Sequence, residues 1–258
     1  MRKSVILAGG FAKRMMPASK VINKHLMPVY LNEIGSVPMI YFSLNTLIRS
    51  GLKEILIITS DESAGMMVDM LGDGKRFGDD VDFTYKIQNM HDETRPIGIA
   101  GALKLAKVFT DDEKFAVILG DNFFEDSFEK DIENFENGNY GGHIFLKSVI
   151  DPFRFGVASI NSNNEVIALE EKPKIPKSNF ASTGFYLFDK NVYSIADTLT
   201  ISTRKELEIV DIHNKLIKNN SLKASFVENF WHDLGTPSSM NYATEYMNNK
   251  KFKLSFHV

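Results

Sequence analysis

Two glycines, Gly9 and Gly10, close the apolar run Val5 to Ala8, and two cations, Lys13 and Arg14, follow at once. Glycines let backbone N–H groups approach a ligand that a side chain would block, and neighbouring cations neutralise it, so this order of residues suits a phosphate. A following helix N-terminus would add positive potential. A tight strand-to-helix turn would use the same two glycines. The segment has neither the G-x-G-x-x-G of a dinucleotide fold nor the G-K-[ST] ending of a P-loop, so neither standard nucleotide loop is written here. Lys24, beyond Pro17, brings a further cation to the same part of the chain.

Carboxylates supply the complementary chemistry. Asp121 follows the apolar run "AVILG", where it would hold a hard cation such as Mg²⁺ or else fold back on its own turn. Asp233 interrupts "FWHDLGT" and is either a second metal ligand or a cap. Glu171 and Lys172 in "LEEKPKIP" would accept from sugar hydroxyls and face a phosphate, or they form a solvated edge. Pro173 biases Lys172 toward extended backbone. Other chemistries are poorly served. Cysteine is absent, which excludes disulfides, thiolate catalysis and Cys-type zinc sites. None of the histidines (His25, His91, His143, His213, His232, His257) forms an i, i+4 ligand pair, and Ser182-Thr183-Gly184 is not a nucleophile elbow. The methionines Met15, Met16, Met66, Met67 and Met70 read as core fillers.

These residues need a frame. Apolar runs at Val5 to Ala8, Ile55 to Thr59 and Phe115 to Leu119 alternate with helical periodicity at Ile40 to Ser50 and Ala100 to Val108, which predicts parallel strands with crossover helices. In such a sheet ligands gather beyond the carboxyl ends of strands, so "AGG" and "GDN" (Gly120 to Asn122) would meet in one crevice. From His143 onward, "HIFLKSV", "FGVASI", "EVIALEE" and "STGFYLFD" predict shorter strands in antiparallel or mixed pairing. One domain over 1–258 is expected. A chain of 258 residues with 43% hydrophobic content can bury a large core, and a net charge of −3 offers no general attraction to nucleic acid or anionic membrane. No stretch of about 18 apolar residues appears, so no membrane span is expected. The N-terminal Met1-Arg2-Lys3 and its short apolar run read as a first strand rather than a signal peptide, and the expected location is the cytoplasm.

Taken in order, "ILAGG" with Arg14 and Pro17, "NKHLMPVY", "PMIYFSL", "LGDGKRFG", "LGDN", "RFGVASI", "LEEKPKIPKSNFASTGFYLFD", "ELEIVDI" and "FWHDLGT" resemble the sugar-1-phosphate nucleotidylyltransferases, above all their thymidylyltransferase branch that uses glucose 1-phosphate. The resemblance runs from Val5 to about Met247. It implies an α/β fold with a Rossmann-like, largely parallel mixed sheet flanked by helices (GT-A-like), carrying an inserted β-rich sugar-binding region. The nucleotide part would lie mainly in 1–125 and the sugar part mainly in 143–236. The implied reaction joins a nucleoside triphosphate to a sugar 1-phosphate, releases pyrophosphate and uses Mg²⁺.

Carried over by position, the resemblance gives nucleotide contacts to Leu7, Gly9, Gly10, Lys13, Gln88 and Gly98, with Gln88 and Gly98 near the base. Catalytic roles fall to Arg14, Lys24 and Asp121, and metal ligation to Asp121 and Asp233. Sugar contacts fall to Gly156, Glu171, Lys172, Ser182 and Tyr186. The implied partners are small molecules, with a homo-oligomer left open. Family loops usually read G-G-x-G-T-R, whereas Ala12 and Lys13 stand here. A positive φ at Ala12 would cost roughly 1 kcal/mol. The segment 89–97 is longer than its family counterpart, "LNEIGSV" lengthens the loop after Lys24, and Gly101 stands where a glutamine is usual. A UTP- or CTP-dependent transferase acting on another phosphorylated metabolite, and a sensor without turnover, remain the alternatives.

Overall fold

The computed structural model of the chain describes residues 1–10, 12–89 and 98–257. Its strands are β1 (Lys3–Ala8), β2 (Pro28–Leu31), β3 (Gly35–Pro38), β4 (Glu54–Ser60), β5 (Asp82–Gln88), β6 (Phe115–Leu119), β7 (Asn122–Phe124), β8 (Gly142–Ser148), β9 (Gly156–Ile160), β10 (Val166–Glu171), β11 (Phe180–Phe188), β12 (Leu222–Phe226) and β13 (Trp231–Asp233). The helices are α1 (Ile40–Arg49), α2 (Ala64–Leu71), α3 (Ile99–Leu103), α4 (Lys107–Thr110), α5 (Glu129–Asn137), α6 (Asn191–Asp197), α7 (Ile209–Lys218) and α8 (Pro237–Asn249), with short 3₁₀ turns between several of them. The result is a mixed, largely parallel sheet flanked by helices. The chain resolves into two compact units, the first made of Arg2–Met90, Ile118–Glu129 and Asn229–Val258, the second of Met1, His91–Val117 and Lys130–Glu228.

In the first unit β1 pairs with β4 and β4 with β5, all parallel, from Lys3↔Glu54 to Ala8↔Thr59 and from Glu54↔Asp82 to Ser60↔Gln88. Val5, Ile6, Ala8, Ile55, Ile57 and Ile58 are fully buried. Strands covered on both faces must be apolar throughout, and these are. Helix α1 is buried from Ile40 to Ile48, and its Ser43 hydroxyl reaches the carbonyls of Leu119 (2.9 Å) and Asn122 (3.1 Å). It thereby grips the turn that carries Asp121. Strands β7 and β13 pair antiparallel, Asn122 opposite Asp233. Helix α8 opens with a capping box between Thr236 and Ser239. The segment after it lays Phe252 against Phe123 (ring centroids 4.9 Å) and Phe256 against Phe77 (4.8 Å).

In the second unit β11 lies between β8 and β9, antiparallel to both, while β10 pairs antiparallel with β9 and β12 parallel with β8. The pairing predicted from the texture after His143 is therefore observed. The register of β11 against β8 shifts between Ser182 and Tyr186. Stacked rings, Phe145 on Phe185 (5.0 Å) and Phe115 on Tyr193 (5.7 Å), fill the core.

Two local expectations are corrected. The helix expected over Ala100 to Val108 is broken into α3, a 3₁₀ turn at Lys104–Ala106 and α4. Gly101 weakens it in the middle of its first segment. Among the methionines only some fill the core: Met15 and Met67 are buried, while Met16 and Met66 are about half exposed. No helix of the described residues is long and apolar enough to cross a membrane.

Candidate active site

The glycine loop departs from β1 at Ala8. Gly10 has φ +100, a value that tolerates no side chain without strain. Ala12 adopts φ 44, ψ 40, so the positive φ that the sequence makes costly is present. Its carbonyl is pinned by the Ser19 hydroxyl (2.9 Å) and the Met15 amide (2.9 Å). The chain then enters a single 3₁₀ turn, Lys13–Met15, too short to supply the potential that a helix N-terminus would add. Local positive potential therefore comes from the exposed Lys13 and Arg14 side chains rather than from a helix end. Gly9 faces Gln88: a methyl group on Gly9 would sit 3.0 Å from Gln88 Oε1. Leu7 is buried, and its carbonyl accepts from the Gly120 amide (3.0 Å), which brings the "AGG" and "GDN" turns together as predicted.

Around Asp121 the charges are closely matched. Lys24 Nζ donates to Asp121 Oδ2 at 2.5 Å, and Asn122 Nδ2 donates to Oδ1 at 3.0 Å. Asn122 is itself oriented by the indole N–H of Trp231 (2.7 Å), the chain's one tryptophan. Burial pushes the Asp121 carboxyl up, but the Lys24 ammonium and these hydrogen bonds outweigh it and hold the group well below the usual carboxylate range. One carboxylate oxygen is thus held within its own turn, by Asn122, and the other by Lys24 from a distant turn. Asp233, at the end of β13, is buried and has Arg14 Nη2 at 3.8 Å. Leu234 donates its amide to the Asp121 carbonyl (2.7 Å), locking the two aspartate-bearing turns.

Gly235 explains why these groups fit. A methyl group there would stand 2.9 Å from Arg14 Nη2, 2.9 Å from Asp121 Oδ2 and 3.0 Å from Asp233 Oδ2. Two carboxylate oxygens and a guanidinium thus converge on one point above a residue with no side chain. Such a pair of hard oxygen donors fits Mg²⁺, which takes one or two carboxylates and leaves its other positions to water and phosphate oxygens. No cluster of three or more acidic, histidine or cysteine ligands exists among the described residues, so an all-protein metal cage is not built here.

The second unit carries the remaining predicted residues. Gly156, Glu171 and Ser182 come together: a methyl on Gly156 would lie 3.4 Å from Glu171 Oε2 and 3.8 Å from Ser182 Cβ. Ser182 is buried and its hydroxyl has no partner among the described residues. Glu171 Oε1 accepts from Lys172 Nζ (3.0 Å) and Arg204 Nη1 (2.9 Å). Lys172 departs from the extended backbone that Pro173 favours, with φ 45. Its amide donates to the Phe155 carbonyl (2.9 Å), a tertiary bond that overrides the local preference. Tyr186 is buried with its ring 5.1 Å from that of His213. Gly98, φ +111, packs on backbone, since a methyl there would lie 2.6 Å from the Leu207 carbonyl. Residues 90–97, where the sequence departs most from the family pattern, lie outside the described residues.

A family model described as nucleotidyl transferase matches residues 3–250. The chain belongs to that family. Among relatives of this nucleotidyl transferase, a glucose-1-phosphate thymidylyltransferase from Neisseria meningitidis is 33% identical over 99% of this chain and 86% of the relative. One of the same name from Mycolicibacterium smegmatis is 34% identical over 95% and 82%. A crystal structure of a candidate glucose-1-phosphate thymidylyltransferase from Bacillus anthracis, in complex with sucrose, superposes with a TM-score of 0.87 at 42% identity, covering 96% of each chain. A UDP-glucose pyrophosphorylase solved with UDP-glucose, only 19% identical (TM-score 0.82, 97% of this chain and 99% of that one), shares the fold.

Several residues beside the candidate site escaped sequence reasoning. Arg204 and Gly235 touch predicted residues directly, and Asn23 and His25 flank Lys24 in its turn. Asn23 carried a usable signal, since Asn is a favoured cap and here caps the 3₁₀ turn Lys24–Leu26. Arg204 sits in a run of charges, "RKELE", that reads equally well as solvated surface.

Proposed function

We propose that this protein transfers a nucleoside monophosphate from a nucleoside triphosphate, dTTP first among them, to a hexose 1-phosphate, glucose 1-phosphate first among those, giving an NDP-sugar and pyrophosphate. The observation that carries the reading is the convergence of Arg14, Asp121 and Asp233 over Gly235, with Lys24 bonded to Asp121. The names of the full-length relatives support the substrate pair. In this reading the first unit holds the triphosphate and the second the sugar phosphate, and both substrates belong to the cytoplasm.

The attacking group is a phosphate oxygen of the sugar 1-phosphate, already ionised at neutral pH, so no general base is required. It bonds to the α-phosphorus as the bond to the bridging oxygen breaks and pyrophosphate leaves with that electron pair. What the chain must do is align two anions and neutralise charge. Lys13 and Arg14 bind the triphosphate over the backbone of Gly9 and Gly10. Lys24 holds its ammonium toward the reacting phosphates, kept in place by Asp121. Asp121 and Asp233 would hold Mg²⁺, which when bound supplies charge neutralisation at the phosphate oxygens. Gln88, beside Gly9, and Gly98 serve the base; Gly156, Glu171, Ser182 and Tyr186 serve the sugar, with Lys172 at its phosphate.

The test is a matrix of dTTP, UTP, CTP, ATP and GTP against several sugar 1-phosphates with Mg²⁺, following pyrophosphate release. Turnover with highest kcat/KM for dTTP and glucose 1-phosphate is expected. Folded protein that stays silent across the matrix overturns the reading, and a preference for another pair reassigns the substrates.

A further inference from the structure

Lys24 has to present its ammonium at a fixed place, yet a lysine stem has four rotatable bonds and the turn that carries it is a single 3₁₀ turn, Lys24–Leu26. Something outside the turn must fix its backbone. The residue that does so is Asn23. Its Oδ1 accepts from the His25 backbone amide (2.9 Å) and lies 2.8 Å from His25 Nδ1. Its Nδ2 donates to the carbonyl of Ala8 (3.2 Å), the last residue of β1 before Gly9, and to Ser63 Oγ (3.1 Å), in the 3₁₀ turn that follows β4. Both amide protons and both carbonyl acceptor positions are used, so the side chain is a joint between three turns.

The orientation of this amide is not free. Reversed, it would put an N–H₂ against the His25 amide and an oxygen against the Ala8 carbonyl, two repulsive contacts in place of two bonds. With Oδ1 facing His25, the ring nitrogen Nδ1 must carry its proton. Burial, reinforced by the neighbouring Lys24 charge, pushes the pKa of His25 down to about 3 against the pull of Asp121 and of a hydrogen bond to the Ala8 carbonyl, so the ring is neutral. The ring in turn packs under Gly120: a methyl on Gly120 would be 2.7 Å from His25 Cδ2. Asn23 therefore sets the two residues that flank the Gly120-Asp121 turn.

We propose that Asn23 is a positioning residue of the transferase: it touches no reacting atom, fixes the Nδ1–H tautomer of His25, and acts on turnover through Lys24. The proposal rests on the transferase reading for the role of Lys24, but its tautomer component does not.

Three measurements decide it. Histidine-selective ¹⁵N labelling and NMR of the native protein should show His25 as the Nδ1–H tautomer, with Asn23→Ala shifting it toward Nε2–H and Asn23→Asp, which keeps the acceptor, retaining it. Steady-state kinetics of Asn23→Ala should show kcat down by about tenfold to 10²-fold with KM for both substrates nearly unchanged, the pattern of misplaced rather than missing contacts. In a Lys24→Ala background the Asn23→Ala change should cost nothing further. An Nε2–H tautomer in the native protein, a loss confined to KM, or additive effects with Lys24→Ala overturns the proposal. If Asn23→Ala does not fold, the native tautomer still decides, together with Asn23→Asp, which loses the donors to Ala8 and Ser63 and should show the same loss in kcat at nearly unchanged KM. Absence of turnover in the native protein, with the expected tautomer present, counts against the transferase reading instead.

Discussion

Lys24 Nζ and Asp121 Oδ2 meet at 2.5 Å inside the protein, with only 16% and 8% of their side chains exposed. A buried pair of this kind contributes little net stability, but breaking it strands a charge. Lys24→Met should therefore destabilise the first unit by about 3 kcal/mol while abolishing most turnover. Because Asp121 is then an uncompensated carboxylate, added Mg²⁺ should raise the melting temperature of Lys24→Met more than that of the native protein. Equal shifts in calorimetry would mean that Asp121 takes no part in holding the metal.

Arg14 is over half exposed and 3.8 Å from Asp233, so its ion pair adds almost nothing to stability. Arg14→Ala is expected to leave the urea midpoint unchanged and to lower turnover by about 10²-fold, the loss typical of one preorganised charge contact. Unchanged kinetics would show that Lys13 performs the task alone.

Ala12 sits at φ 44, ψ 40. Replacing it with glycine removes the Cβ penalty of the left-handed region, and Ala12→Gly should gain up to about 1 kcal/mol in equilibrium unfolding. A loss of stability would mean that the methyl group's packing outweighs the strain.

His213 is fully buried on α7, both ring nitrogens lack a partner among the described residues, and burial pushes its pKa from 6.5 down to about 3. Between those values the unfolded chain binds a proton that the folded protein refuses. Stability contributed by the neutral ring is complete above pH 6.5 and is lost as pH falls toward 3, by about 1.4 kcal/mol for each pH unit. His143, pushed by burial to about 4 against the pull of Asp131, acts in the same direction. Urea titrations at pH 7.5, 6.0 and 5.0 should show a shallower acid loss for His213→Leu than for the native protein; parallel curves would mean that His213 is already charged when folded.

The parallel strands and α1 were legible because complete burial demands unbroken apolar runs, as at Ile55 to Thr59. Asp121 and Asp233 stood out as polar breaks in apolar runs, where a turn must fall, and Arg14 and Lys24 as cations following the glycine pair. Conformation set by distant partners was not legible. Lys172 obeys the Phe155 carbonyl rather than Pro173, and Ala12 is held by Ser19. Asn23, Arg204 and Gly235 matter through what they touch, and touching is decided by pairings such as Asn122 with Asp233, far apart along the chain.

Gly235 has a practical use that follows from its neighbours. Arg14 could swing away from an added methyl, but Asp121 is short, buried and held by Lys24 and Asn122, so Gly235→Ala must press on the Asp121 carboxylate itself. A single methyl at this one spot would silence the protein while keeping every charge and every hydrogen-bonding side chain. That makes Gly235→Ala the natural inert companion for binding studies, a protein with the native's surface and isoelectric point from which only the centre's clearance has been taken away.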